Sequence, residues 1–201
     1  MASKRGIKFK QIVDTGRALF WRHGIRRITV EEICERAGVS KMTFYKHFPN
    51  KYALARHIFE QITDQAIQQY RGIMDRDMPF SKKAAAAIQL KMEQSDQMSH
   101  EFYNDIMQSE NGAFKELVDR KVGESLQMFR EDFEKAQAKG EIRRDLNTEF
   151  IPYFLNHLIG MAKDPKLSRF YTTPQQMIME LTNFFFYGIM PREKEDQSMD
   201  H

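Results

Sequence analysis

The chain has 201 residues, 41% of them apolar, so it can bury a full core and is not a mini-protein that needs cross-links to fold. No stretch of about 18 apolar residues is present, and we expect no secretory signal, so we predict a cytoplasmic protein. The single cysteine, Cys34, excludes an internal disulfide and a thiolate metal cluster. The net charge of +3 is uneven: residues 1–60 hold 13 Lys and Arg against 5 Asp and Glu, which predicts either a module that meets phosphate or a solvated basic face.

Two helices are predicted at the start of the chain. Over residues 7–23, Ile12, Gly16 and Leu19 fall on one stripe of an amphipathic helix, which Gly24 can end. The segment from Thr29 to Glu32 has the form of a capping box, in which the Thr hydroxyl and the third helical residue satisfy free amides. A short second helix is therefore expected over about residues 30–37.

The next elements have the layout of a helix-turn-helix motif. Gly38 suits a tight turn, Ser40 can cap a third helix that starts near Lys41, and Pro49 ends it. In this motif the second helix presents its N-terminal side chains to base edges. The expected inner face is Ile33, Ala37, Val39, either Met42 or Phe44, and Phe48. The expected outer face is Lys41, Thr43, Tyr45, Lys46 and His47. A generic helical hairpin whose polar residues face water is the alternative.

The remaining sequence predicts an all-α chain of about nine helices. Asn50 can cap a long fourth helix that reaches about Met74. Later helices are expected at about 80–97, 99–108, 112–139, 148–162 and 174–189, with an interruption at Asp164 and Pro165. Residues 191–201 are expected to form a flexible tail.

The segment from Ile28 to Leu54 resembles the signature of the TetR family of transcriptional regulators. Its AGVS, TFY, HF and NK stretches fall at the family's spacing, whereas Met42 stands where the family often has a small residue and Cys34 replaces a common alanine. The resemblance implies an N-terminal three-helix helix-turn-helix domain, joined by a long helix to a C-terminal helical domain for effector binding and dimerisation. These domains are expected at residues 1–51 and 52–190.

The same resemblance implies a function and a set of DNA-binding residues. The chain is expected to be a ligand-responsive repressor that binds a palindromic operator in double-stranded DNA as a homodimer and is released by a small-molecule effector. Lys41 and Thr43 would contact bases or phosphates, and Lys51 would add its ammonium group to the positive end of the fourth helix. The full predicted DNA-binding set is Thr29, Ser40, Lys41, Met42, Thr43, Tyr45, Lys46, His47 and Lys51.

Large, soft side chains are frequent in the C-terminal region. On helices such residues usually form ordinary core, yet methionine and aromatic rings also suit a pliable ligand cavity. We therefore predict an apolar effector, while His157, among apolar neighbours, also fits a core or interface position. The predicted effector-binding residues are Phe102, Tyr103, Met107, Phe129, Phe133, Phe154 and His157.

The last two long helices are predicted to be apolar around much of their circumference. Such helices must be covered, either within one subunit or by a second copy of the chain. Because the TetR family dimerises through its last two long helices as a four-helix bundle, the resemblance implies a homodimer. The predicted interface residues are Ile151, Leu155, Leu158, Leu181, Phe184 and Phe185.

No enzyme motif is recognised in the sequence. We predict no catalytic residues, no cofactor, no metal site and no membrane partner, although Asp96, His100, Glu101 and Asp105 fall near one helical face and could in principle hold a divalent metal. Two alternatives remain, a helical small-molecule-binding protein without a DNA-binding role and an all-helical enzyme. The cationic set around Lys41 and Lys51 argues against the first, and the lack of a recognisable acid–base pair argues against the second.

Overall fold

A computed structural model of the chain describes residues 4–189, except Gln97, Glu110 and Lys163. The side chains of residues 4, 5, 155, 156, 159, 160 and 162 also lie outside the described set, as does the predicted tail at residues 191–201. The fold is all-α, as predicted. The described helices are α1 (Lys4–His23), α2 (Val30–Ala37), α3 (Lys41–Tyr45), α4 (Lys51–Met74), α5 (Phe80–Gln94), α6 (His100–Met107), α7 (Gly112–Ala138), α8 (Phe150–Ala162), α9 (Pro165–Ser168) and α10 (Pro174–Ile189).

The described part of the chain has one helix more than the nine predicted. Asp164 and Pro165, expected only to interrupt, start the short α9, because the Asp164 carboxylate accepts a hydrogen bond from the Lys166 amide at 2.8 Å. At the other boundaries the prediction and the structure differ by at most three residues. None of the described helices is long and apolar enough to cross a membrane.

One hydrophobic core holds α1 to α4 together. Phe20, Ile33, Phe44 and Leu54 are fully or almost fully removed from solvent within it. The same core includes side chains from α6 and the first half of α7, namely Phe102, Ile106, Phe114, Leu117 and Val118. The helix-turn-helix segment therefore shares its core with α6 and α7, which pack against α1 and α4.

A second core is built from the ends of α5, α7, α8 and α10. Phe133 of α7 lies at its centre, with ring centroids 5.5 Å from those of both Phe80 and Phe185. Ile142 and Ile151 are almost completely buried in the same cluster. Edge-to-face packing of this kind adds about 0.5–1.5 kcal/mol per ring pair beyond burial, which favours a fixed arrangement of the three helices that carry these rings.

Helix α4 connects the two cores. Its 24 residues correspond to about 36 Å at 1.5 Å per residue. It begins where the Asn50 side chain accepts the Ala53 amide at 2.9 Å. Leu54 and Ile58 near its start belong to the first core, and Tyr70 near its end packs edge-on against Phe129.

Candidate nucleic-acid interface and ligand cavity

The turn between α2 and α3 is formed by short-range hydrogen bonds. The Thr29 hydroxyl accepts the Glu32 amide at 3.1 Å, which starts α2. Gly38 ends this helix with φ +63°, a left-handed conformation that favours glycine. Ser40 then caps α3 by accepting the Thr43 amide at 3.2 Å. These contacts occur at the positions expected for a helix-turn-helix.

Helix α3 has one buried side and one open side. The sequence left Met42 and Phe44 as alternatives for the inner face, and the structure buries Phe44 completely while Met42 is 71% exposed. Tyr45 is 53% exposed. Lys41 and Lys46 are also exposed, and Thr43 and His47 are half-buried. The solvent-exposed side of α3 therefore carries the ammonium group of Lys41, the thioether of Met42 and the phenol of Tyr45.

An ion pair ties Lys41 to the preceding helix. Its ammonium group lies 2.5 Å from the carboxylate of Glu31, and both side chains are exposed. Their hydrogen bond lowers the pKa of Glu31 and raises the pKa of Lys41, so both groups are charged near neutral pH. An incoming phosphate would compete with Glu31 for this lysine.

His47 is held against the N-terminal helix rather than standing free. Its ring packs edge-on against Phe9 at a centroid distance of 5.4 Å. Phe9 also stacks on Phe48 and meets His57, so the end of the α3 segment and the start of α4 are fixed to α1.

Lys51 has a different environment from the one predicted. Its ammonium group donates hydrogen bonds to the carbonyls of Arg26 at 2.7 Å and Ile28 at 2.8 Å. Burial lowers its pKa, although the negative charge of Asp105 acts in the opposite direction. Lys51 closes the α1–α2 loop, because two of its three donors are directed at backbone carbonyls rather than at solvent. These hydrogen bonds give Lys51 a structural role that the sequence did not predict, and its contact with DNA stays a prediction.

The α1–α2 loop is also anchored to α6. Gly24 has φ +81°. The Asp105 carboxylate accepts the amides of Ile25 at 2.6 Å and Arg26 at 2.8 Å, and pairs with the Arg26 guanidinium at 3.2 Å. A Cβ atom at Gly24 would lie 2.8 Å from this carboxylate. Asp105 is therefore used as a loop anchor, and no cluster of potential metal ligands occurs among the described residues.

A cavity of about 400 Å³ lies between α4, α5, α7 and α10, with further lining from α6 and α8. Four of the predicted effector-binding residues line it, namely Tyr103, Met107, Phe129 and Phe133. Further lining comes from two helical stripes that the sequence analysis missed, Thr63, Ala66, Ile67 and Tyr70 on α4, and Ala87, Leu90, Lys91 and Gln94 on α5. The spacing of these residues by three and four positions indicates that each set lies on one helical face. The prediction considered only large methionine and aromatic side chains and therefore did not include them.

Three predicted effector-binding residues do not line this cavity. Phe102 packs on Trp21 in the first core, with ring centroids 5.0 Å apart. Phe154 packs against Phe185 at 6.2 Å in the second core. His157 is exposed on α8, where Nδ1 lies 2.8 Å from the Tyr153 carbonyl. The sequence pattern was correct for the buried Phe102 and the half-buried Phe154, although it could not distinguish core from cavity, and it did not predict the exposed position of His157.

The predicted interface residues are divided between core and surface. Ile151, Leu158 and Phe185 are buried within the subunit, because their side of α8 and α10 packs on α7. The prediction that these three residues lie in the dimer interface is corrected accordingly. Leu181 lines the cavity and Phe184 is 75% exposed, whereas the Leu155 side chain lies outside the described residues. The exposed apolar face consists instead of Phe150, Tyr153, Met161, Phe184 and Tyr187, with His157 between them.

Comparison with known proteins gives one family match and several full-length similarities. Residues 12–58 match the tetR family of bacterial regulatory proteins. The nucleoid occlusion factor SlmA of Idiomarina loihiensis is 24% identical over 177 residues, which cover 85% of this chain and 86% of that protein.

Two solved structures are similar to this fold over nearly their whole length. The regulator FadR from Bacillus subtilis in complex with stearoyl-CoA has a TM-score of 0.68 at 16% identity, covering 90% of this chain and 99% of that chain. SmeT, the repressor of the Stenotrophomonas maltophilia multidrug efflux pump SmeDEF, has a TM-score of 0.70 at 19% identity, covering 94% and 92%.

Proposed function

We propose that the chain is a ligand-responsive transcriptional repressor of the TetR family of bacterial regulatory proteins, which residues 12–58 match. In this proposal a homodimer binds a palindromic DNA operator, and a small, largely apolar effector releases it. Residues 1–51 bind DNA, and residues 52–190 bind the effector and dimerise. We also propose that the protein acts in the cytoplasm, where a DNA operator would be accessible to it.

The observation that carries the DNA-binding proposal is the open side of α3. Lys41, Met42 and Tyr45 project from a short helix that Ser40 caps and Phe44 fixes to the core. Such a helix fits the major groove, where lysine can bind guanine or phosphate and apolar groups can contact the thymine methyl. The surplus of basic residues in the first 60 residues supports binding to the phosphate backbone.

A gel-shift series with a palindrome selected from a randomised DNA library tests this proposal. We expect the double variant Lys41→Ala, Tyr45→Ala to bind the selected site on the order of 10- to 100-fold more weakly, because two contacts to bases or phosphates are lost. The control is Lys139→Ala, an exposed lysine at the far end of α7. Equal binding by the double variant and the wild type would remove the assignment of α3 as the recognition helix.

The cavity supports the effector part of the proposal. It is lined mainly by apolar and aromatic side chains from the C-terminal helices, and a volume of about 400 Å³ suits a small organic molecule. The similar FadR structure from Bacillus subtilis holds stearoyl-CoA, which supports an effector with an apolar chain.

The exposed apolar face on α8 and α10 supports the homodimer. Phe184 and Tyr187 are 75% and 79% exposed, and Tyr153 is 62% exposed, which is unusual for large aromatic side chains on adjacent helices. A second copy of the same face would cover them through a two-fold interface. A dimer of this kind would hold two α3 helices at the spacing of successive major grooves, about 34–36 Å.

Nucleoid occlusion is a second candidate, because the similarity to SlmA of Idiomarina loihiensis extends over most of both chains. Chromatin immunoprecipitation distinguishes the two functions. A repressor is expected at a few promoters, whereas a protein that acts on the nucleoid as a whole is expected at sites spread along the chromosome.

A further inference from the structure

The polar groups in the cavity wall are mostly occupied by protein partners. Thr63, Ser125 and Thr182 each donate their hydroxyl to a carbonyl of their own helix. Gln94 donates to Gln69 at 2.9 Å, which joins α5 to α4. These groups are therefore already satisfied and have little to offer a ligand.

Lys121, one of the two lysines in the wall, is neutralised by protein carboxylates. Its ammonium group lies 2.6 Å from Asp64 and 3.4 Å from Glu124. The hydrogen bond to Asp64 raises its pKa and offsets its burial. The charge of Lys121 is therefore already balanced by protein carboxylates, and an anionic ligand would have to compete with them.

Lys91, the other lysine, has no such partner among the described residues. It lines the cavity from α5, one helical turn before Gln94, and remains accessible. No carboxylate of the described chain pairs with its ammonium group. An accessible ammonium group without a carboxylate partner, in the wall of a largely apolar cavity, can pair with an anionic group of a ligand bound there.

A second feature of the same wall also favours a polar ligand group. The Tyr70 hydroxyl is buried and makes no hydrogen bond of ordinary geometry to a described residue. Burial, followed by the charge of the nearby Asp132 carboxylate and a hydrogen bond towards it, raises its pKa, so the hydroxyl stays protonated and a ligand acceptor would compete with Asp132 for its hydrogen. Tyr70 of α4 and Lys91 of α5 line the same cavity, and the Gln94 to Gln69 hydrogen bond joins these two helices.

We propose that the cavity binds an amphipathic anion, an apolar body ending in a carboxylate, whose head group pairs with the Lys91 ammonium. The apolar body occupies the aromatic and aliphatic part of the cavity around Phe129 and Phe133. Any effect of this ligand on DNA affinity rests on the proposed effector function, whereas binding of the ligand to the cavity can be tested without DNA.

Isothermal titration with three probes of equal chain length tests the proposal: decanoate, decanol and decyltrimethylammonium. The wild type is expected to bind decanoate more tightly than either of the others, because only decanoate can pair with Lys91. In Lys91→Met, which keeps the side-chain length and removes the charge, decanoate affinity should fall about 10- to 100-fold while decanol affinity is kept or improved. Lys82→Met, an exposed lysine on the same helix, is the matched control and should change none of the three.

The possible results separate this inference from the proposed function. Equal decanoate affinity in wild type and Lys91→Met, a preference of the wild type for decanol or the ammonium probe, or no binding of decanoate would overturn the assignment of Lys91. The comparison of the three probes on the wild type does not depend on how well the variant folds. If decanoate binds through Lys91 but leaves operator binding unchanged, the anion site stands and the effector switch fails.

Discussion

Among single residues, Lys51 has structural contacts that the motif spacing did not predict. The motif spacing placed this lysine at the start of α4, but its partners, the carbonyls of Arg26 and Ile28, lie 25 and 23 positions earlier in the chain. A contact over that distance depends on how α1 packs on α4, which no local pattern encodes. The caps at Thr29, Ser40 and Asn50 could be predicted because each acts on an amide three residues away.

Lys51→Met is therefore expected to reduce stability rather than phosphate binding. Losing two charge-assisted hydrogen bonds to loop carbonyls should lower the free energy of unfolding by about 1–3 kcal/mol, measured by urea denaturation. The salt slope of DNA binding should stay unchanged, whereas in the control Lys46→Ala, an exposed lysine after α3, it should flatten by about one unit. A full-stability Lys51→Met protein with a flattened slope would show that Lys51 contacts phosphate after all.

At the element scale, α6 touches both functional regions. Asp105 on this helix anchors the α1–α2 loop, while Tyr103 and Met107 on the same helix line the cavity. A ligand that shifts α6 would thus move the loop in front of α2, in addition to any tilt of α4. The helix boundaries could be predicted from the sequence because local capping residues define them. The residues that line the cavity could not be predicted, because they depend on which helical faces pack together.

Asp105→Ala is expected to weaken this connection. The Ile25 and Arg26 amides lose their acceptor, so stability should drop by about 1–3 kcal/mol in denaturation experiments. Ligand affinity in the isolated protein should change little, while the effect of ligand on DNA affinity should shrink, because coupling needs an element that both sites bias. The matched control is Asp119→Ala on α7, whose carboxylate is exposed and pairs only with Lys115 among the described residues. Unchanged coupling in a folded Asp105→Ala protein would rule out this role for α6.

For the whole molecule, we expect a homodimer with twice the 23.8 kDa mass of one chain. Phe184→Asp should produce folded monomers in light scattering, because Phe184 is 75% exposed in the subunit and a carboxylate there disturbs only the interface. Phe185→Asp should instead unfold the subunit, since Phe185 is 6% exposed and packs against Phe133. The control Phe170→Asp changes an aromatic residue that is 80% exposed outside both helices. A Phe184→Asp protein that remains dimeric would place the interface elsewhere.

Fluorescence anisotropy with labelled DNA can show whether the protein is a ligand-responsive, operator-binding regulator. The wild-type protein is titrated into a selected palindrome and into a scrambled duplex of the same composition, at several salt concentrations and with and without decanoate. We expect a dimer to bind the palindrome at least about 1,000-fold more tightly than the scrambled duplex, with an affinity that weakens steeply with salt and drops by about 5- to 150-fold when decanoate is added. Equal affinity for the two duplexes, in the presence and absence of decanoate, would contradict a ligand-responsive operator-binding regulator.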